Sequence, residues 1–246
     1  MESVINQTYK NIEYIVIDGA STDGSAEYIE QMQEHFAYWV SEPDKGIYNA
    51  MNKGIDHASC DYLLFLNSGD YLADDDVIEK FVGFNPVEDV VYGDIWLEQK
   101  DGSKTLKKMP EKLDLISSLS FVITHQAIFH KKTLFDNNNR YDETYKIIAD
   151  WVFYNSEILF NNKTYNKIKL IITYYNMDGL SSDSDYLQQI LSEKKKYITK
   201  FYCNKITDII AEYNKIKSTY NGLMSSGTVK IALKISSILT RLRNSF

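Results

Sequence analysis

Acidic side chains follow three short apolar runs of this sequence. Asp18 ends YIVID, Asp70 ends LLFLNSGD, and Asp44 lies in SEPDKG, directly after AYWV. Carboxylates in such places can accept hydrogen bonds from N–H groups or bind hard cations. The LLFL run stops abruptly at Asn67, which predicts a buried strand whose end presents polar groups to a ligand.

The apolar runs alternate with segments of helical spacing. Strands are predicted at 13–17, at 37–40 and within 61–70, with helices over 25–36 and 47–58 between them. Short apolar runs ended by turn residues are typical of parallel strands that are buried on both faces. Ligands of such sheets bind beyond the carboxyl ends of the strands. The first half therefore predicts an α/β fold with a mostly parallel, Rossmann-like sheet and the three aspartates at one edge.

The pattern changes after residue 89. A hairpin is predicted with its turn at Asp101-Gly102, further strands at 126–131 and 169–177, and helices at 75–82 and 150–160. The second half is therefore expected to be a mixed sheet that faces an acceptor. Helical spacing dominates from residue 185 onward, so we predict a catalytic domain over 1–184 and a helical appendage over 185–246.

Composition excludes several functional classes. The 246 residues are 44% hydrophobic, enough for a substantial core, and the net charge of −7 argues against a sequence-independent nucleic-acid binder. The two cysteines match no metal-ligand spacing, which favours a reducing compartment. No apolar run reaches the roughly 18 residues of a membrane span. A cytoplasmic location is predicted.

Five segments in order resemble the family 2 glycosyltransferases of the GT-A fold, in the bacterial branch that builds surface polysaccharides. They are YIVIDGASTDGS, SEPDKGIYNAMNKG, YLLFLNSGDYL, HQA at 125–127 and ADW at 149–151, and the resemblance covers roughly residues 2–182. It implies inverting transfer of a sugar from a nucleotide sugar, a UDP-sugar in most relatives, to a hydroxyl group of a glycan or lipid-linked oligosaccharide.

The resemblance implies a set of donor-binding residues. Asp18 would accept a hydrogen bond from the imide N–H of the base, while Asp44 and Lys45 would lie beside the nucleotide. Lys45, just before a helix N-terminus, would provide a cation for the diphosphate. Asn52 matches an asparagine typical of the family, whereas Met51 stands where many relatives have arginine. Taken alone, SEPDKG would be read as an ordinary exposed turn.

The segment 67–70 departs from the family pattern. Relatives often have aspartate at the first and third positions, where they hold a divalent metal against the diphosphate. Here the residues are Asn67, Ser68, Gly69 and Asp70, so Asp70 is the single anion. The resemblance implies Mn²⁺ or Mg²⁺ as cofactor with Asp70 as its ligand, and Asn67 as a hydrogen-bonding partner of ribose or phosphate.

Asp150 is the predicted catalytic base. Inverting transfer requires a group that takes the proton of the acceptor hydroxyl, and the family places an aspartate at a helix start for this step. Trp151 offers a ring on which an acceptor sugar could stack, or it is a core residue. His125 would lie near the donor diphosphate, with a metal or phosphate role, or it is a buried structural histidine. The loop at 176–185 resembles the family's lid over the donor.

Two features concern the ends of the chain. Residues 228–243 carry Lys230, Lys234, Arg241 and Arg243 beside an apolar face, which favours contact with the inner surface of a membrane. The alternatives are packing on the catalytic domain or in a homodimer. The chain also begins at a segment that follows the first strand in relatives, so we expect an N-terminally shortened form with weak or no activity.

Two other functions compete with transfer. The first is a non-catalytic nucleotide-sugar-binding remnant caused by loss of the first strand. The second is a nucleotidyltransferase, which would share acids at strand ends, but the sequence has no Gly-rich loop that cradles a triphosphate.

Overall fold

Two parallel strands form the first sheet. A short helix, α1 (Glu2–Ile5), precedes them. β1 (Ile15–Asp18) pairs with β2 (Tyr38–Ser41) in a register that places Asp18 opposite Ser41. α2 (Ser25–Gln31) connects the strands, and α3 (Ile47–His57) follows β2. The predicted strand, helix, strand, helix order is confirmed here. The buried residues of α3 are spaced as one helical face, and they are Tyr48, Met51, Asn52 and Ile55.

A mixed sheet of six strands forms the rest of the core. In chain order its strands are β3 (Tyr62–Leu63), β4 (Tyr71–Leu72), β5 (Val90–Glu98), β6 (Lys104–Lys107), β7 (Ile128–Lys131) and β8 (Tyr165–Asn176). The spatial order is β3-β7-β5-β8-β4, and β6 pairs with β5 off this path. β5 and β8 are parallel, whereas the other neighbours are antiparallel. The predicted mixed second half is confirmed.

The strand predicted from LLFLNSGD is much shorter than its apolar run. Only Tyr62 and Leu63 pair with β7, and the chain then leaves the ladder. Leu64 and Leu66 instead pack against the core formed around Leu72, Val77 and Phe81. The run is apolar because its side chains are covered by this core, and not because its backbone pairs.

Helices and turns connect these strands. The hairpin prediction is confirmed, since β5 and β6 are antiparallel and Gly102 has a φ of +79°. The helices predicted at 75–82 and 150–160 correspond to α4 (Val77–Gly83) and α5 (Ala149–Asn155), and α5 continues as a π-helical turn over Ser156–Phe160. α6 (Leu187–Tyr197) is followed by a π-helical turn over Ile198–Tyr202, and the described residues 213–222 are also helical.

The structure, a computed structural model, describes residues 1–114, 117, 123–177, 186–202, 213–222 and 227. The chain divides into two units, Met1–Glu193 and Lys194–Phe246, and the boundary predicted after residue 184 stays a prediction. Of the lid predicted at 176–185, residues 178–185 lie outside the described residues, and so does the segment 228–243 predicted to contact a membrane. No helix in the described ranges combines the length and apolar character needed to cross a membrane.

Candidate active site

Asp18 lies at the carboxyl end of β1, where the sequence predicts donor binding. Its carboxylate accepts hydrogen bonds from the Ser21 hydroxyl at 2.5 Å, the Ser21 backbone N–H at 3.0 Å and the Ser41 hydroxyl at 2.6 Å. Burial alone would raise the pKa of Asp18, but these hydrogen bonds together lower it. Asp18 is therefore an anion held firmly by the ends of β1 and β2.

Asp44 is packed against the residue that follows Asp18. A Cβ atom added at Gly19 would lie 2.6 Å from Oδ2 of Asp44, so only glycine leaves room for this carboxylate. The other oxygen of Asp44 accepts the backbone N–H of Gly46 at 2.8 Å, next to the start of α3. The structure thus brings Asp18 and Asp44 together at one edge of the first sheet, with Lys45 exposed beside them.

The α3 helix connects this edge to the second half of the domain. Its N-terminus carries no side-chain cap, which leaves backbone N–H groups near Lys45 for an anionic ligand. Asn52 is buried. Its side-chain amide donates to the backbone carbonyl of Tyr141 and accepts the backbone N–H of Tyr141, both at 3.0 Å. It also donates to the Glu143 carboxylate at 3.1 Å. Asn52 therefore anchors the 141–143 segment; contact with the donor stays a prediction.

An open polar cleft of about 690 Å³ lies between α3 and this segment. Glu143 accepts hydrogen bonds from Asn49 and Asn52, which together lower its pKa. The cleft is lined by Asn49, Asn52, Lys53, Asp56, Arg140 and Glu143, among others.

Asp150 is buried at the start of α5, with 8% of its surface exposed. Oδ1 accepts its hydrogen bonds from the Tyr48 hydroxyl at 2.9 Å and the Trp151 backbone N–H at 2.8 Å, while Oδ2 lies 2.9 Å from Nδ1 of His125. Burial is the largest effect on the Asp150 pKa and raises it, but the contacts with His125, Tyr48 and Trp151 together lower it. Asp150 is therefore an ionised carboxylate that is largely buried.

His125 opens a short 3₁₀ turn, His125–Ala127, that precedes β7. Its Nδ1 atom meets Asp150, and the next residue, Gln126, donates from Nε2 to Oδ2 of Asp70 at 2.6 Å. One turn of chain thus joins the two aspartates for which the sequence predicts catalysis and metal binding.

Three consecutive residues at this turn carry buried polar atoms that have no partner. These are Oγ1 of Thr124, Nε2 of His125 and Oε1 of Gln126, each with less than 1 Å² accessible. Buried polar groups are paired in most proteins, so a cluster of unpaired ones marks a place where a ligand or water binds.

Asp70 follows a turn that requires glycine. Gly69 has a φ of +90°, a backbone conformation that disfavours aspartate at this position. The Asp70 carboxylate accepts hydrogen bonds from Gln126, from the backbone N–H of Asn176 at 3.0 Å and from that of Asn67 at 3.3 Å. Burial raises the pKa of Asp70, and these hydrogen bonds oppose the rise.

The arrangement around Asp70 does not fit a cation. Three N–H groups point at its carboxylate, and N–H groups repel a metal ion. Among the residues that the structure describes, no group of three His, Cys, Asp or Glu side chains is placed to hold a metal. Asp70 as a metal ligand stays a prediction, and no catalytic step proposed for the chain depends on it.

Trp151 is a core residue. It is 0% exposed, so its ring presents no face on which an acceptor sugar could stack. Of the two alternatives given by the sequence, the structure supports packing in the core. The reason is that α5 is buried along its whole length, Ala149–Asn155.

Sequence reasoning missed three residues of this site. Tyr48 approaches Asp150, and burial raises its pKa well above its usual value, so its hydroxyl stays protonated. Glu193 on α6 accepts the backbone N–H groups of Lys146, Ile147 and Ile148 at 2.8–3.3 Å. Lys107 is the last residue of β6. Burial lowers its pKa, and the negative charge of Asp150 opposes that lowering. Tyr48 belongs to the SEPDKGIYNAMNKG motif, but nothing in the sequence near Glu193 or Lys107 signals a role.

Comparison with known proteins defines the class. Residues 1–159 match the Glycosyl transferase family 2, and this chain belongs to that family. The PGL/p-HBAD biosynthesis glycosyltransferase of Mycobacterium bovis BCG is 28% identical over 205 residues, covering 77% of each chain. An uncharacterized glycosyltransferase of Mycobacterium tuberculosis is 38% identical over 162 residues, covering 62% of this chain and 60% of the relative.

Solved structures show the same fold. The chain superposes on S. aureus TarS 1–349 in complex with UDP-GlcNAc with a TM-score of 0.60 and 18% identity, over 82% of this chain and 66% of that one. For the TarS 1–349 complex with UDP, the TM-score is 0.58 and the identity 19%, over 71% and 54%. The chain thus spans about half to two-thirds of these TarS chains and has the α/β fold of GT-A glycosyltransferases. It is a glycosyltransferase by family, as the sequence motifs predicted.

Proposed function

We propose that this chain transfers a sugar, with inversion, from a UDP-sugar to a hydroxyl group of a glycan or lipid-linked oligosaccharide in cell-surface polysaccharide synthesis. The observation that carries the proposal is the buried Asp150, ionised and paired with His125 beside a cluster of unpartnered polar atoms. The UDP and UDP-GlcNAc complexes of the structurally similar TarS support a uridine nucleotide as the donor.

Donor binding is assigned to the edge of the first sheet. The Asp44 carboxylate packs against Gly19, the residue after Asp18, and Lys45 with the uncapped N-terminus of α3 offers positive charge. The base of the nucleotide would meet Asp18 and its diphosphate the start of α3. Asn67, Asn52 and His125 complete the predicted donor set; the Asn52 amide already holds Tyr141, so it acts through that segment.

Transfer requires a base on the acceptor side. The acceptor oxygen attacks the anomeric carbon, the bond from that carbon to the diphosphate breaks, and the hydroxyl proton must leave. The Asp150–His125 pair supplies the basic group, while Tyr48 and the Trp151 N–H fix the carboxylate. Burial of the pair keeps water away from the donor and so limits hydrolysis.

A divalent metal is used generally by this family, and Mn²⁺ or Mg²⁺ is the cofactor predicted for this chain. The proton transfer and the fixing of the carboxylate require only the protein's own residues. From the contacts of Asp70 with N–H groups, we infer that it holds the His125–Ala127 turn and the end of β8 in place.

A panel of nucleotide sugars tests the proposal. The full chain is incubated with each sugar nucleotide, with and without Mn²⁺, and the release of UDP or GDP is followed together with transfer to bacterial glycan and lipid-linked acceptors. We expect release of UDP from at least one UDP-sugar, and more of it with an acceptor present. Binding of UDP without any turnover would favour the non-catalytic remnant instead.

Location and assembly are proposals from the sequence. A cytoplasmic enzyme that contacts the inner membrane surface through 228–243 would meet lipid-linked acceptors directly. Deleting 228–246 is expected to reduce co-sedimentation with anionic vesicles, with neutral vesicles as the control. Equal pelleting of the two forms would contradict membrane contact, and a larger hydrodynamic mass for the intact chain would instead support the homodimer.

A further inference from the structure

The open polar cleft beside α3 has the dimensions of a ligand site. It follows the helix from Asn49 to Asp56, a length of about 10 Å at the rise of an α-helix. Its opposite wall is formed by residues between 138 and 146. The volume of about 690 Å³ lies within the range of small-molecule sites, about 300–1,000 Å³. Neither the proposed donor site nor the carboxylate of Asp150 occupies this space.

Glu143 is the most firmly held carboxylate of this cleft. Its Oε1 atom accepts the side-chain amide N–H groups of Asn49 at 3.0 Å and Asn52 at 3.1 Å. These two hydrogen bonds lower the pKa of Glu143, so the group is an anion at neutral pH. Within the part of the chain that the structure describes, Oε2 accepts no hydrogen bond. A carboxylate that is fixed through one oxygen presents the other to an O–H group of a ligand.

Lys146 places a hydrogen-bond donor near this carboxylate. Its backbone N–H is bonded to Glu193 at 2.8 Å, which fixes the main chain, while the residue itself is exposed. Its ammonium group forms no ion pair among the described residues, and its charge contributes to the lowered pKa of Glu143. An acceptor and a donor in one cleft can bind neighbouring hydroxyl groups of a sugar.

The charges of the cleft favour an uncharged ligand. Its lining carries equal numbers of cations and anions, namely Lys53, Arg140 and Lys146 against Asp56, Asp142 and Glu143. Arg140 is already bonded to Asp56 at 2.8 Å, and Lys53 is paired with Glu42 at 2.7 Å. A phosphate or a uronate would meet the carboxylate of Glu143 together with the ammonium of Lys146, without an excess of positive charge. Amide, carboxylate and ammonium groups in balance suit a neutral polyhydroxylated sugar.

We propose that this cleft binds an uncharged sugar unit of the acceptor glycan, and that Glu143 and Lys146 select this unit. The inference rests on the proposed transfer reaction. The acceptor is favoured over the sugar of the donor because the cleft extends along α3 away from the N-terminus, to which the donor diphosphate is assigned.

The cleft shares two elements with the predicted base. The Tyr48 hydroxyl, on α3, donates to the backbone carbonyl of Ile147 at 2.7 Å and to Asp150 at 2.9 Å. The wall that carries Glu143 and Lys146 continues along the chain into Ile147 and then Asp150. A glycan in the cleft therefore lies against the same helix and the same chain segment that position the base.

Two variants remove the proposed contacts without removing the fold. Glu143→Gln keeps an Oε1 atom for Asn49 and Asn52 but exchanges the open acceptor for an N–H donor. Lys146→Gln removes the charge and leaves the hydrogen bonds of Glu143 in place. We expect each variant to weaken sugar binding by about tenfold or more, because a polar group of the ligand loses its partner. Glu34→Gln is the matched control, since this glutamate is exposed and does not line the cleft.

A binding experiment on the full chain needs no turnover. The uncharged probes are the methyl glycosides of glucose, galactose, rhamnose and N-acetylglucosamine, and the charged probes are inorganic phosphate and glucuronate. The side-chain amide signals of Asn49 and Asn52 in ¹⁵N–¹H spectra report on the cleft. At least one glycoside should shift both signals in wild type and in Glu34→Gln, and should bind more weakly to the other two variants. No shift with any glycoside, or tighter binding of a charged probe, would overturn the proposal.

Turnover distinguishes the acceptor from the donor. With a donor and an acceptor that wild type uses, KM for the acceptor should rise by about tenfold or more in Glu143→Gln and Lys146→Gln, with kcat and the donor KM within about threefold. A rise in the donor KM alone would overturn the assignment to the acceptor. If wild type transfers no sugar from any donor, the proposed function fails, whereas the glycoside titration still decides whether the cleft binds a sugar.

Discussion

Gln126 donates a 2.6 Å hydrogen bond from its side-chain amide to Oδ2 of Asp70. Because His125 precedes Gln126 and meets Asp150, the positions of Asp70 and of the Asp150–His125 pair are coupled through one short turn. A substitution of either aspartate is therefore expected to displace the other.

The first prediction concerns Asp70→Ala. Removing the carboxylate leaves Gln126 and two backbone N–H groups without their acceptor, so kcat should fall by about tenfold or more through displacement of His125. If the carboxylate only holds these groups, UDP affinity should change by the same factor with Mn²⁺ as with a chelator. Isothermal titration under both conditions measures this. A loss of affinity confined to the Mn²⁺ experiment would instead establish Asp70 as a metal ligand.

Asp150→Asn is expected to abolish transfer and leave UDP binding nearly intact. The amide cannot take the proton of the acceptor hydroxyl, and it has no charge to pair with His125. We expect kcat to decrease by about 10³-fold or more. Turnover and UDP titration of the same preparation check this. A variant that turns over at the wild-type rate would remove Asp150 from the mechanism.

Gly19→Ala tests the contact between the ends of β1 and β2. The new Cβ would lie 2.6 Å from Oδ2 of Asp44, and the flexible carboxylate would move away at little cost in stability. UDP binding should weaken by about tenfold if Asp44 contacts the donor. Gly54→Ala is the matched control, since its Cβ would meet only Ile17 at 3.8 Å. In that mid-helix position alanine should stabilise the fold by about 0.5–1 kcal/mol. Equal UDP affinities in both variants would argue against a donor role for Asp44.

Glu193→Ala tests the support for the segment before α5. Three backbone N–H groups lose their shared acceptor, so the free energy of unfolding should fall by about 2–3 kcal/mol. kcat should also fall, because Ile148 leads directly into Ala149 and Asp150. Chemical denaturation and turnover measure the two effects. Gln188→Ala, an exposed position on the same helix, should change neither. If Glu193→Ala has the same stability and kcat as Gln188→Ala, the hydrogen bonds accepted by Glu193 contribute to neither.

His130→Phe should reduce acid sensitivity. Burial lowers the pKa of His130 to about 4, whereas a histidine in the unfolded chain has about 6.5. Protons therefore bind preferentially to the unfolded chain between these values, and the free energy of unfolding falls as pH drops from about 6.5 toward about 4, by roughly 3 kcal/mol in all. Phenylalanine suits the ring cluster of Phe65, Phe135 and Phe153 around this site. Urea unfolding at about pH 7 and about pH 5 measures the effect. The loss in free energy of unfolding between the two pH values should be smaller for the variant than for wild type. Equal losses would rule out His130 as the cause of the acid sensitivity.

Local patterns were sufficient to predict the two strands of the first sheet. Short apolar runs ended by polar residues predicted β1 and β2, and their parallel pairing placed Asp18 opposite Ser41, three residues before Asp44. The start of α5 at Asp150 and the hairpin at Gly102 were equally visible, because caps, turns and helical spacing depend on neighbours a few residues away. The strand expected in 61–70 was too long, since burial and pairing leave the same apolar signature.

The surroundings of Asp150 depend on contacts between residues far apart in the chain, which no local pattern specifies. Tyr48, His125 and Asp150 come from α3, the turn before β7 and α5, and only the packing of these elements gives His125 one bonded and one unpaired nitrogen. Packing also decided between the two alternatives for Trp151, placing it in the core. It surrounded Asp70 with N–H groups and brought Glu193 to the segment before Asp150. The residue types were readable from the chain, but their hydrogen-bond partners were set by the tertiary fold, and those partners determine what each group can do chemically.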